Sequence, residues 1–137
     1  MVKKLVHDPA ALAQRSRPAV ADDLSILQDL LDTLQAHKQT CVGMAANMIG
    51  ENVCIIAFDW DGRYFAMLNP QIIDQTGPFE AEESCLSYLG GPRKTLRYQR
   101  IKVRFETPKF QTREKIFSGF TAQIIQHEID HCNGILI

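Results

Sequence analysis

Apolar residues recur in the first part of the chain with the period of an α-helix. Between Leu24 and about His37, leucines stand at positions 24, 27, 30, 31 and 34, every three to four residues. This spacing is typical of one face of a helix, and Asp22 and Asp23 just before it are suitable N-cap residues. We therefore predict an amphipathic helix of about four turns, whose apolar face packs into the core.

The middle of the chain changes to the short apolar runs of β-strands. Val53–Phe58 and Arg63–Leu68 flank Trp60-Asp61-Gly62, and an Asp-Gly pair between two β-prone runs predicts an antiparallel hairpin. Asn69-Pro70 and Gly77-Pro78 are expected to break the second strand. A strand segment is predicted at 71–74, before a polar stretch at 80–84 and a Gly90-Gly91-Pro92 turn. Three more strand segments are predicted after that turn, at 94–98, 100–106 and 110–118.

Two segments remain. Thr40 to Gly50 places small residues between apolar ones, and this composition indicates a loop or tight turn that approaches another element or a ligand closely. A second helix is predicted from about Thr121, a good cap, to Gly134, a good C′ residue. Together the elements predict one α+β domain over residues 1–137, with antiparallel β-sheets packed around the C-terminal helix and an N-terminal amphipathic helix.

Composition narrows the function classes. The 137 residues are 45% hydrophobic, and 15 basic and 16 acidic residues give a net charge of −1 without clustering. No basic patch for DNA is expected, and no apolar stretch approaches the roughly 20 residues needed to span a bilayer. We expect a cytoplasmic protein whose four cysteines stay reduced.

The candidate chemistry lies in the C-terminal helix, where the chain reads His127-Glu128-Ile129-Asp130-His131. Residues four apart share a helix face, so His127 and His131 can offer their rings to one metal ion, while Glu128 can accept a proton from a metal-bound water. The alternative is a polar helix face that happens to carry two histidines. A catalytic site of this kind uses three protein ligands, so one further ligand is required.

Three segments, in order, resemble the motifs of the peptide deformylase family. The family motifs are G-x-G-L-A-A-x-Q, E-G-C-L-S and Q-H-E-x-D-H. Here they read Cys41-Val42-Gly43-Met44-Ala45-Ala46-Asn47-Met48, Glu83-Ser84-Cys85-Leu86-Ser87 and Gln126-His127-Glu128-Ile129-Asp130-His131. The third motif is complete, the second lacks only its glycine, and the order and spacing also fit.

The resemblance implies a role for each matching residue. One divalent metal ion would be bound by Cys85, His127 and His131. The resemblance implies that this ion is Fe²⁺, although Zn²⁺ or Ni²⁺ could occupy the site. Glu128 would be the general base. The implied reaction removes the N-formyl group from formyl-methionyl peptides of nascent bacterial proteins at the ribosome. The backbone N–H of Leu86 would stabilise the oxyanion.

The same resemblance exposes a departure at Met48, which stands where the family has a glutamine whose amide stabilises the oxyanion. A methionine cannot donate that hydrogen bond. Asn47 is a candidate substitute donor, with a turn residue as the alternative, and Ser84 replaces the second-motif glycine. A catalytically impaired deformylase-like protein that binds metal and a peptide or partner is therefore an alternative, and a metallopeptidase based on the third motif alone ranks last.

The implied substrate pocket takes a methionine side chain. We expect Val42, Gly43, Phe120 and Ile124 to contribute to it, although core packing explains Phe120 and Ile124 equally well. Two charged residues carry weaker expectations. Asp130 is a candidate to orient a histidine, and Arg97 is a candidate ion-pair partner of Glu83. The oligomeric state does not follow from the sequence.

Overall fold

Five strands form one antiparallel sheet whose spatial order follows the chain. The computed structural model describes residues 1–87 and 89–137. The strands are β1 (Gly43–Ala45), β2 (Ile55–Trp60), β3 (Arg63–Glu83), β4 (Arg93–Glu106) and β5 (Thr112–Ser118). The α+β class is confirmed, with a single sheet in the described part of the chain rather than several.

Three helices accompany the sheet. They are α1 (Pro9–Leu12), α2 (Leu24–Ala36) and α3 (Gly119–Cys132), and short 3₁₀ turns occupy Ala21–Asp23 and Ala46–Ile49. Helix α1 was not predicted from the sequence, and Asp8 caps it by accepting a hydrogen bond from the Ala10 N–H at 3.1 Å. No helix among the described residues is both long and apolar enough to cross a membrane.

Alternation along β2 divides the core between the two faces of the sheet. Ile56 and Phe58 belong to the apolar cluster that contains the buried isoleucines of α3, whereas Ile55 and Ala57 belong to the cluster that contains the leucines of α2. Successive side chains of a strand point to opposite faces, so this buried strand supplies both layers. The sheet is thus covered by α3 on one face and by α2 on the other.

The predicted breaks at Asn69-Pro70 and Gly77-Pro78 are wrong, because β3 runs through both without ending. Register shifts against β4 between Leu68 and Gln71 and between Ile72 and Asp74 absorb the first irregularity. Beyond Leu68, β3 pairs only with β4, so Pro78 lies in an edge strand where a missing N–H is tolerated. The strand also includes most of the polar stretch before Cys85, and the segments at 94–98 and 100–106 form one strand.

The segment Thr40 to Gly50 is more regular than the predicted loop. Gly43–Ala45 pairs with β2 as the edge strand β1, in the register Gly43 with Phe58. The 3₁₀ turn that follows ends at Gly50, whose φ of 88° is the left-handed conformation that glycine adopts at little cost. This edge strand packs against α3, beneath the site described next.

Candidate metal centre and active site

Three potential metal-binding atoms converge between the end of β3 and the middle of α3. Cys85 follows β3 by two residues, and His127 and His131 lie one helical turn apart on α3. Their ligand atoms all lie within 4.8 Å of one another. The two Nε2 atoms are 3.1 Å apart, and the Cys85 Sγ is 3.5 Å from the Nε2 of His131.

These separations fit a tetrahedral metal site. With metal–nitrogen bonds of about 2.0–2.1 Å and a metal–sulfur bond of about 2.3 Å, the tetrahedron edges are about 3.3 Å between nitrogens and about 3.6 Å from nitrogen to sulfur. Two neutral imidazoles with facing nitrogen lone pairs would repel, so a cation or a shared proton must lie between the two Nε2 atoms. The donor set therefore fits a divalent metal ion with a thiolate and two imidazole ligands.

Glu83 holds one of the histidines in orientation. Its Oε1 lies 2.8 Å from the Nδ1 of His127, which turns the opposite ring nitrogen towards Cys85 and His131. Arg97 donates to both oxygens of Glu83 at 2.7 and 2.9 Å, so the predicted pairing of these two residues is confirmed. Gln123 adds a further hydrogen bond to Glu83 at 3.0 Å. The carboxylate is thus fixed by donors from β4 and α3.

Asp130 acts on this network through Arg97. Its Oδ2 accepts from Arg97 at 2.7 Å, so it holds the guanidinium, and the carboxylate that contacts a histidine is Glu83. Sequence reasoning missed the contact between Glu83 and His127. The signal for it was the second motif itself, which places Glu83 two residues before Cys85.

The two histidines differ in protonation. Burial opposes protonation of His127, but its contacts with Cys85 and Glu83 outweigh this and raise its pKa to about 10. Burial lowers the pKa of His131 to about 3, and the positive charge of His127 acts in the same direction. These opposite shifts favour protonation of His127 over protonation of His131 in the metal-free protein.

Glu128 lies beside the three donors with its carboxylate out of solvent. Burial raises its pKa to about 7, and its Oε1 has no hydrogen-bond partner within the described residues. A buried carboxylate with one free oxygen and a pKa near neutrality suits proton transfer. Gly43 on β1 is in close contact, since a Cβ added there would stand 2.8 Å from the Glu128 Oε2.

A cavity of about 290 Å³ opens onto the donors. The predicted residues Val42, Met48, Leu86, Phe120 and Ile124 all line it, together with Cys85, His127 and Glu128. Gly43 is not among its described lining residues, and packs beneath it against Ile124 and Glu128. His131, the third donor, is fully buried and is not among the described lining residues of this cavity. The walls therefore combine an apolar side with the titratable groups.

Asn47 is a candidate oxyanion donor, with an ordinary turn residue as the alternative, and the contacts of Asn47 and its neighbour Met48 distinguish the two. Met48 is buried, and its Sδ accepts a hydrogen bond from the Ala45 N–H at 3.4 Å. The Asn47 amide donates to the backbone oxygens of His131 at 3.0 Å and Leu12 at 3.4 Å. Since its amide is engaged away from the cavity, Asn47 does not replace the missing donor.

Gln126 has a structural role that the sequence did not reveal. It is buried, and its amide bonds both the N–H and the C=O of Tyr98, at 2.8 and 2.9 Å. This pair of hydrogen bonds docks α3 on β4 and fixes the rotation of the helix about its axis. The neighbouring His127 is positioned accordingly.

The fold and the site together define a class, a hydrolase with a candidate divalent-metal centre. The sequence model of the polypeptide deformylase family matches residues 2–137. The chain therefore belongs to the peptide deformylase family and is an enzyme of that kind.

Individual relatives agree with this assignment. The chain is 46% identical to a peptide deformylase of Clostridium beijerinckii over 137 residues, which covers 100% of both chains. The crystal structure of the peptide deformylase from Thermotoga maritima superposes with a TM-score of 0.88 at 27% identity, covering 99% of this chain and 95% of that one. An actinonin-bound class I type b peptide deformylase from Acinetobacter baumannii gives a TM-score of 0.87 at 26% identity, with coverage of 99% and 95%.

Proposed function

We propose that this enzyme removes the N-formyl group from formyl-methionyl peptides, the N-termini of newly made bacterial proteins, and releases formate. The observation that carries the proposal is the convergence of Cys85, His127 and His131 within 4.8 Å, beside the buried carboxylate of Glu128. Membership of the deformylase family supports the assignment of these residues to one active site. The position of each residue in the site supports the role that we propose for it.

Cys85, His127 and His131 are the proposed ligands of a divalent ion. Such an ion, when bound, supplies Lewis-acid polarisation of the formyl oxygen and acidifies water. A thiolate with two imidazoles suits both ferrous iron and zinc, and the family resemblance favours Fe²⁺. Glu83 keeps the His127 ring in the ligating orientation through the hydrogen bond at Nδ1.

Glu128 is the proposed general base. Its carboxylate accepts a proton from the attacking water and passes it to the peptide nitrogen as the bond between the formyl carbon and that nitrogen breaks. Seclusion of this carboxylate from solvent keeps its proton affinity high, and the free Oε1 is available for the transfer. The peptide then leaves with a free amino group.

The oxyanion and the methionine side chain need separate contacts. We assign the oxyanion contact to the backbone N–H of Leu86, which lines the cavity, because Met48 offers no donor there. Val42, Phe120 and Ile124 form the apolar wall proposed to take the methionine side chain. Gly43 contributes by leaving room for Ile124 and Glu128.

Release of formate from formyl-Met-Ala-Ser by anaerobically purified, iron-loaded protein tests this function. The Glu128→Gln variant keeps the shape of the side chain and is expected to lose about 10²–10⁴ in kcat. The matched control is Glu80→Gln, a change in β3 at an exposed carboxylate that pairs with Lys94 across the hairpin. Cleavage of unformylated peptides, or formate release unaffected by Glu128→Gln, would contradict the proposal.

A further inference from the structure

Two cysteines outside the candidate metal centre lie in contact with one another. Cys132 belongs to the apolar cluster under α3, Cys54 packs against the same cluster, and both side chains line one cavity. Cys54 immediately precedes β2, and Cys132 is the last residue of α3. All four cysteines of the chain are free thiols.

The backbone holds the two cysteines together independently of their side chains. The N–H of Ser16 donates to the Cys132 oxygen at 2.9 Å, and the N–H of Cys54 donates to the Arg17 oxygen at 2.8 Å. One short segment thus bonds to both cysteines. Their proximity is a property of the fold, since it does not depend on a rotamer of either side chain.

The pair is open to small reagents through a second cavity. This cavity, of about 520 Å³, is lined by both cysteines and by Arg15, and it is separate from the cavity at Cys85. Cys54 is half-buried, whereas Cys132 is buried. Arg15 lies in the same cavity, and its positive charge favours the thiolate form of Cys54, which is the reactive form.

Cys41 provides the contrast within the same chain. It is also partly buried, but burial and the charge of Glu128 raise its pKa to about 11, and its Sγ is 2.8 Å from the Gly43 oxygen. A thiol in this environment is a poor nucleophile. Of the cysteines outside the candidate metal centre, Cys54 therefore has the setting of a reactive residue with a second thiol beside it.

We propose that Cys54 and Cys132 form a peroxide-reactive dithiol, which closes to a disulfide between the start of β2 and the end of α3. The Cys54 thiolate attacks a hydroperoxide oxygen, the O–O bond breaks, and a sulfenic acid and water form when hydrogen peroxide is the oxidant. The Cys132 sulfur then attacks the sulfenic sulfur, the S–O bond breaks, and a second water leaves. A thiol reductant reverses the reaction.

The test uses metal-loaded, reduced protein treated with one equivalent of hydrogen peroxide and then blocked with N-ethylmaleimide. Peptide mapping without reductant is expected to show a linked pair of peptides containing Cys54 and Cys132, two hydrogens lighter than their sum, with Cys41 alkylated. Dithiothreitol should remove the link. The disulfide should also raise Tm, because it cross-links residues far apart in sequence.

Two variants separate the chemistry from effects on folding. Cys54→Ser is expected to abolish both the link and the rise in Tm, whereas Cys41→Ser, the matched control, should keep both. In Cys132→Ala, dimedone is expected to label Cys54 after peroxide treatment, since the sulfenic acid has no second thiol to attack. Alkylation of both cysteines after peroxide, a link between other cysteines, or dimedone labelling of Cys41 instead of Cys54 would overturn the proposal.

Discussion

Replacement of Gly43 by alanine tests whether the position of the Glu128 carboxylate limits the reaction. A Cβ at residue 43 would stand 2.7 Å from the Ile124 Cγ2 and 2.8 Å from the Glu128 Oε2. Ordinary contacts between carbon atoms are about 3.5–4.0 Å, so α3 or its side chains must move by roughly 1 Å. Gly43 does not have a positive φ, so the effect of the methyl group is steric and not conformational.

Two effects follow from this displacement, and their sizes differ. Overpacking in the core is expected to cost about 1–3 kcal/mol of unfolding free energy. A shift of about 1 Å at the proposed general base is expected to lower kcat by about 10²-fold. Chemical denaturation measures the first, and formate release under saturating formyl-Met-Ala-Ser measures the second.

A double variant separates the two contacts of the added methyl group. Gly43→Ala combined with Ile124→Ala removes the contact with Cγ2 but keeps the contact with Glu128. Gly43→Ala should therefore cost less stability in the Ile124→Ala background than in the parent, while it still lowers kcat in both. A folded Gly43→Ala protein with the kcat of the parent would refute the argument that this glycine protects the position of the carboxylate.

Three further predictions concern other parts of the molecule. Met48→Gln adds an oxyanion donor and should raise kcat by up to about 10²–10³-fold, whereas the control Met48→Leu adds no donor and should leave kcat unchanged. Equal kcat values for Met48→Gln and the parent would show that another group already stabilises the oxyanion. Arg97→Met leaves two carboxylates without their partner and should cost about 3–5 kcal/mol in denaturation, against about 0–1 kcal/mol for the exposed Arg104→Met. Arg17 holds the pKa of Asp23 at about 2, below its ordinary 3.8, so the stabilisation is present above pH 3.8 and is lost as the pH falls towards 2. Asp23→Asn should therefore lower Tm at neutral pH and differ progressively less from the parent below about pH 4, and a constant difference would contradict the assigned cause.

The sequence predicted which side chains gather at the site better than it predicted the course of the strands. The helical spacing paired His127 with His131, the resemblance to the deformylase motifs added Cys85, and the structure places their ligand atoms within 4.8 Å. Whether they bind a metal stays a prediction. A helical spacing of four residues is short-range information, so it could pair the two histidines, and a short motif could mark Cys85.

Strand β3 shows what local patterns could not provide. Proline normally interrupts a central strand, so Pro70 and Pro78 led to the prediction of two breaks. Local sequence does not indicate that β3 has only one neighbouring strand beyond Leu68. Whether a proline is tolerated depends on which strand lies beside it, which is a tertiary property. The same holds for Gly43–Ala45, whose strand character comes from pairing with β2 and not from its own composition.

The polar residues of α3 show why the site lies where it does. This helix is buried on nearly every side, and buried polar groups are costly unless they are hydrogen-bonded. Gln126 is satisfied by the backbone of β4, and the Nδ1 of His127 by Glu83. The side-chain atoms of α3 left without a partner, within the described residues, are the Glu128 Oε1 and the His131 Nδ1. The Glu128 Oε1 belongs to the proposed base and lies where a substrate or a water at the candidate centre can use it, whereas the His131 Nδ1 is the ring nitrogen opposite the proposed ligand atom Nε2.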